Sequence, residues 1–174
     1  MSSKTKIIVI TGAESTGKTT LTKALANHFC IPFIPEIARE YVEKLNRKYR
    51  YTDVEIIAKN QIRQLNELKK LNIPYIFVDT WLLNTKVWFE EVFGKTPPWL
   101  TTTILETKID LFLLCDIDLP WVYDPVRENG GEQRKILHYK YMENIKQFNF
   151  KFEIVSGKDE LRFKNALKIL KMLK

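Results

Sequence analysis

The sequence predicts an α/β domain on a mostly parallel sheet, and three observations carry that prediction. Apolar runs of strand length alternate with helical patterns from end to end. The first run, Ile7-Ile8-Val9-Ile10, passes directly into Gly12-Ala13-Glu14-Ser15-Thr16-Gly17-Lys18-Thr19, a full match to G-x-x-x-x-G-K-S/T. A chain of 174 residues, 45% hydrophobic and 28% charged, suits one domain with a single sizeable core, spanning residues 1–174.

After the glycine-rich turn, Leu21, Ala24, Leu25 and Phe29 recur at helical spacing. Phe33-Ile34-Pro35 is a short second strand bracketed by prolines, which strand ends tolerate and strand centres do not. A helix from Glu36 to about Leu45 carries Glu36, Arg39 and Glu40 near its start, and Asp53 is placed as N-cap of a long helix from Val54 to about Leu71. Gln61 falls inside that helix's apolar stripe, either as a satisfied structural hydrogen-bonder or as a ligand contact. Tyr75-Ile76-Phe77-Val78 is the third strand, with Asp79 at its carboxyl end. Trp81 to Phe93 reads as an amphipathic helix with Trp88 on a face with Asn84 and Thr85; Gly94 ends it, and Pro97-Pro98 turns into a shorter helix around Leu100 to Lys108. Leu111 to Cys115 is the fourth strand. The polar stretch from Asp116 to Gly131, punctuated by prolines and closed by a glycine pair, has the length and composition of a lid. A helix from about Glu132 to Phe148, a fifth strand at Phe152 to Val155 and a last amphipathic helix complete the chain.

Composition narrows the classes of function. No apolar run approaches the ~18 residues of a membrane span, and the first residues lead straight into a strand rather than a signal peptide, so a soluble, cytoplasmic protein is expected. The formal charge of +7 is spread over the polar side of the last helix and the ends of others, which suits solvated lysines and anionic small molecules and gives no expectation of a nucleic-acid partner. Cys30 and Cys115 are expected as buried thiols, and His28 and His138 lack the spacing of a zinc site.

The chemistry follows from the glycine-rich turn. A strand, such a turn and a helix N-terminus aim backbone N–H groups at one point, where phosphates bind. Gly12, Glu14, Ser15, Thr16, Gly17, Lys18, Thr19 and Thr20 are therefore assigned to the nucleotide, with Lys18 on the β- and γ-phosphates and the Thr19 hydroxyl on Mg²⁺. Asp79 stands where a Walker-B-like metal-side carboxylate is expected, in a strand beside the P-loop strand; the competing role is a helix N-cap. The chain has no Asn-Lys-x-Asp guanine signature, and Arg127, with Arg134 and Lys135 behind it, gives the lid the cations a small-molecule kinase needs around the transferring phosphoryl group.

Five pieces then occur in order: Gly-x-Glu-Ser-x-Gly-Lys-Thr; Glu36-x-x-Arg39-Glu40-Tyr41; Ile57-Ala58-x-x-Gln61; Phe77-x-Asp79-Thr80; and Pro120-Trp121-x-x-Asp124-x-x-Arg127. Together they resemble the ribosylnicotinamide kinase domain of NadR-type NAD-biosynthesis proteins. The resemblance implies an adenylate-kinase-like P-loop fold with a lid, ATP and Mg²⁺ as the phosphoryl-donor system, and nicotinamide riboside as acceptor. On that reading Lys18, Glu36, Asp79 and Arg127 form the catalytic set and Glu36, Arg39, Gln61, Trp88 and Asp124 the acceptor side, with Trp88, Trp121 and Tyr123 equally able to stack on the acceptor ring; the alternative readings are another nucleoside or nucleotide kinase and a non-catalytic ATP-binding module. The DNA-binding and adenylyltransferase modules of longer members have no counterpart in this sequence, so repression and adenylyl transfer are not carried over. Asp124-Pro125 departs from the Asp-Gly of other members.

Overall fold

The computed structural model describes residues 5–122 and 131–173. Five strands, β1 (Lys6–Thr11), β2 (Phe33–Ile34), β3 (Tyr75–Asp79), β4 (Leu111–Cys115) and β5 (Phe152–Val155), form one sheet in the order β2-β3-β1-β4-β5. Every pairing is parallel. Between and after them run α1 (Lys18–Phe29), α2 (Ile37–Glu43), α3 (Tyr51–Leu68), α4 (Leu82–Phe93), α5 (Pro98–Glu106), α6 (Gly131–Gln147) and α7 (Asp159–Met172). Parallel strands need such crossovers, and the helices cover both faces, as the sequence predicts.

The side-chain period of a strand builds the two faces. Ile7, Val9, Ile76, Val78 and Phe112 turn to one side, against α3, α4, α5 and α6. Ile8, Ile10, Phe77, Leu111, Leu113 and Cys115 turn to the other, against α1 and α7. Because both faces are buried, these strands read as continuous apolar runs rather than alternating ones, and their bounds were legible to within a residue. The central position of β1 puts its carboxyl end, and the turn that follows, between the ends of β3 and β4.

At the opposite edge, Lys6 Nζ donates to the Leu173 carbonyl at 2.6 Å and Thr5 Oγ1 to that of Ile73 at 2.7 Å. The two described ends of the chain are thus side by side beneath the sheet.

Two expectations are corrected. Asp53 is not the N-cap of α3, which begins at Tyr51 with Arg50 as cap; Asp53 is the third helical residue, and its carboxylate reaches back to the Arg50 N–H at 2.6 Å. It also receives both Arg47 Nη groups, at 2.7 and 2.9 Å, and the Tyr41 hydroxyl at 3.2 Å. Cys30 is exposed, because it ends α1 in the left-handed region at φ 52°, which turns the thiol outward; Cys115 is buried as expected.

The Arg47 guanidinium holds the Asp53 carboxyl well below the usual carboxylate range, with burial opposing it. A depressed pKa gives stability that is present above the unfolded value and lost as pH falls through the acid range. Asp53→Asn is therefore expected to melt below the parent at pH 7, with the gap closing as the two are compared at progressively lower pH. A pH-independent gap in melting scans would show that the ion pair contributes nothing.

Candidate active site

The phosphate cradle is shaped by positions that few other residues could fill. Gly12 lies at φ 140°, and a Cβ there would stand 2.9 Å from the Cys115 carbonyl oxygen. Gly17, at φ 74°, is the N-cap of α1 and lets the helix start at Lys18. Between them Ser15 adopts φ 56°, and the buried Thr16 hydroxyl donates to the Ala13 carbonyl at 2.8 Å. Lys18 Nζ rests on the same carbonyl at 2.8 Å, so its charge is held within the turn. A cavity of about 400 Å³ opens beside the cradle, lined by Gly17, Thr20, Leu21, Leu119 and Phe163 among others.

Asp79 ends β3, pairing in register with Ile10 of the P-loop strand, and its Oδ2 accepts from Thr19 Oγ1 at 2.5 Å. The sequence placed both on the metal side, and the fold brings them into contact. The N-cap of α4 is Trp81, so the helix-cap alternative for Asp79 does not hold. The other carboxylate oxygen, Oδ1, is buried with no hydrogen-bond partner. Burial raises the Asp79 carboxyl to about 6; the Thr19 hydrogen bond lowers it, the Glu36 charge adds to the rise, and Lys18 and Lys23 oppose it. A buried carboxylate with an orphan oxygen beside a threonine hydroxyl suits Mg²⁺, which takes few protein ligands and keeps its waters. Among the described residues there is no cluster of three His, Cys, Asp or Glu side chains. Immediately after Asp79, the buried Thr80 lies at φ 62°, a rare conformation for a β-branched residue, and its N–H bonds the Ile10 carbonyl at 2.9 Å. Strain of this kind collects at functional turns.

Glu36 is the N-cap residue of α2 and makes no side-chain cap hydrogen bond, and its charge is felt at Asp79. Arg39 is exposed and pairs with Glu43 at 2.9 Å. Gln61 is buried and accepts from Thr85 Oγ1 at 3.2 Å, which supplies a partner a buried amide needs. Trp88 is half-buried with its ring edge-on to Tyr49, centroids 4.9 Å apart. Asp124 and Arg127, and with them the middle of the lid, lie outside the described residues. Lys135 is exposed and bonded to Glu132, whereas Arg134 is buried.

Three side chains that the sequence did not single out for the site stand beside it. Thr11 Oγ1 donates to Asn84 Oδ1 at 2.7 Å, tying the end of β1 to α4. Tyr141 of α6 hydrogen-bonds the same Asn84; burial pushes its phenol up to about 12, helped by the charges of Glu14, Glu36 and Glu91. The third is Arg162 of α7, 4% exposed, whose Nη1 donates to the Thr16 carbonyl at 2.9 Å. Its position in an amphipathic helix rich in lysines hides it, since a cation there reads as solvated.

A family model described as AAA domain matches residues 7–162. The trifunctional NAD biosynthesis/regulator protein NadR of Salmonella typhimurium is 28% identical over 172 residues, covering 95% of this chain, and the chain spans only 42% of that protein's length. Among solved structures, that of NadR protein in complex with NR superposes with a TM-score of 0.83 at 26% identity, over 98% of this chain and 52% of the other. Deoxyadenosine kinase from M. mycoides with bound dATP follows the same fold over 95% of this chain and 99% of its own, with a TM-score of 0.66 at 18% identity. No helix among the described residues is long and apolar enough to cross a membrane. The resemblance to NadR read from five motifs thus extends along nearly the whole chain, in a kinase-like P-loop fold. With the cradle, the parallel sheet and the match over residues 7–162 in agreement, the chain belongs to the AAA domain family.

Proposed function

We propose that the chain is a nucleoside kinase that transfers the γ-phosphoryl group of ATP, with Mg²⁺, to the 5′-hydroxyl of nicotinamide riboside, giving nicotinamide mononucleotide. The observation that carries this reading is the meeting of Lys18, Thr19 and Asp79 at the carboxyl ends of β1 and β3, with Glu36 close enough for its charge to act on Asp79. The similarity to NadR over 95% of the chain supports the choice of acceptor.

Each residue has a distinct task. The cradle from Gly12 to Thr20 binds the phosphates, and Lys18 opposes charge on the transferring group. Thr19 and Asp79 would hold Mg²⁺, which when bound neutralises charge on the phosphate oxygens. Glu36 receives the proton of the acceptor hydroxyl, as a positioned carboxylate does in kinases. Arg39, Gln61, Trp88 and Asp124 form the acceptor side, and Arg127 stabilises charge developing in transfer. An aromatic stacked on the cationic nicotinamide ring gains about 0.5 to 2 kcal/mol.

An ATP-consumption screen over nucleosides tests the reading. Turnover with nicotinamide riboside is expected; preference for another nucleoside would change the acceptor, and nucleotide binding without turnover of any would overturn the kinase. Within that assay Glu36→Gln is expected to leave Mg·ATP affinity unchanged and lower kcat/KM for the acceptor at least about tenfold, or 1.4 kcal/mol. Normal turnover with a lowered melting temperature would make Glu36 a helix-end charge only.

A further inference from the structure

Two buried arginines grip the back of the phosphate cradle. Arg134, 7% exposed and in the first turn of α6, donates from Nε to the Glu14 carbonyl at 2.9 Å, from Nη2 to the Ser15 carbonyl at 3.0 Å, and from Nη1 to the Leu119 carbonyl at 2.8 Å. Arg162 adds the Thr16 carbonyl at 2.9 Å, and is itself anchored on the Gly157 carbonyl at 2.8 Å and on the Asp118 carboxylate. With Lys18 on Ala13, four consecutive carbonyls, those of residues 13 to 16, face cations.

The planarity of the peptide bond gives this pattern its meaning. In a trans peptide the C=O of one residue and the N–H of the next point in opposite directions. Fixing the carbonyls of Glu14, Ser15 and Thr16 toward the guanidinium groups therefore turns the N–H groups of Ser15, Thr16 and Gly17 the other way, toward the side where phosphates bind. A planar guanidinium holds several acceptors at fixed angles, which an ammonium does not. Burial, and then the Arg162 charge, lower the pKa of the Arg134 guanidinium, and the Asp118 carboxylate opposes them.

We propose that Arg134 and Arg162 are positioning residues that preset the P-loop for phosphate before nucleotide arrives. This rests on the nucleotide-site reading above, but on none of its acceptor chemistry. The test is calorimetric binding of ATP and of inorganic tripolyphosphate to the full chain. Arg134→Lys keeps the charge and most of the stem but loses the fork, and is expected to weaken both ligands at least about tenfold. Arg134→Ala is expected to lose more and to recover part of it when millimolar guanidinium chloride is added. Asp53→Asn, a destabilised variant whose carboxylate bonds Tyr41, Arg47 and the Arg50 N–H rather than the cradle, is the control and is expected to bind tripolyphosphate as the parent does. A folded Arg134→Lys variant with parental affinity would overturn the proposal, as would equal losses in Arg134→Lys and Asp53→Asn. Should Arg134→Ala fail to fold, the lysine variant and the same substitution at Arg162 decide. A parent chain that binds tripolyphosphate yet phosphorylates no nucleoside would sink the kinase reading and leave this one standing.

Discussion

Lys18→Ala is expected to lower kcat for phosphoryl transfer by at least about 10² to 10³, the cost of removing one well-placed donor from developing charge, or roughly 2.7 to 4 kcal/mol. The fold should hardly notice. Lys18 is the first residue of α1, where alanine is a good helix former, and the bond lost to the Ala13 carbonyl is a single one, worth about 1 kcal/mol net. An ATP-consumption assay and a melting scan on the same preparation measure the two sides. A loss below about tenfold in rate, with a parental melting temperature, would remove Lys18 from the reacting phosphates.

Asp79→Asn is expected to move activity and stability in opposite directions. In the parent, the fold raises this carboxyl from its usual value near 3.8 to about 6, so the folded chain binds more protons than the unfolded one between those values. Stability is then lost as pH rises through that window, and at pH 7 the ionised carboxylate costs about 3 kcal/mol relative to acid conditions, at 1.36 kcal/mol per pKa unit. Asparagine does not titrate, and its amide still meets the Thr19 hydroxyl. The variant should therefore melt several degrees above the ligand-free parent at pH 7, with the difference shrinking toward pH 4. Its rate should fall by about 10² or more, and the Mg²⁺ concentration for half-maximal rate should rise, because the oxygen left without a hydrogen bond is gone. Parental stability at pH 7 together with an unchanged Mg²⁺ requirement would show Asp79 to be an ordinary buried acid.

How far the sequence could be read depended on whether a signal was local. The run from Ile7 to Phe29 holds strand, turn and helix in one stretch, and that local order was legible from spacing. The position of Asp79 was legible because an acid closing a buried apolar run marks the strand's carboxyl end, and the register with Ile10 places it where expected. Asp53 was misplaced by three positions within its helix start, since an acid near a helix N-terminus serves as cap or as third residue with the same local sequence. The arginine grip was read only in part: Arg134 was placed among the lid's cations and Arg162 was not singled out, because both reach the P-loop from about 120 and 146 residues away in sequence, by contacts that only the assembled fold creates.

The pairing of Lys6 with the carbonyl of Leu173 has an architectural consequence. Both described ends emerge at the amino edge of β1, and the cradle lies at its carboxyl edge, roughly 15 to 20 Å away at about 3.3 Å per strand residue. A module tethered through either end hangs from the floor of the domain, while ligands enter through the roof. A segment joined at either described end would therefore lie away from the cradle, leaving its mouth uncrowded.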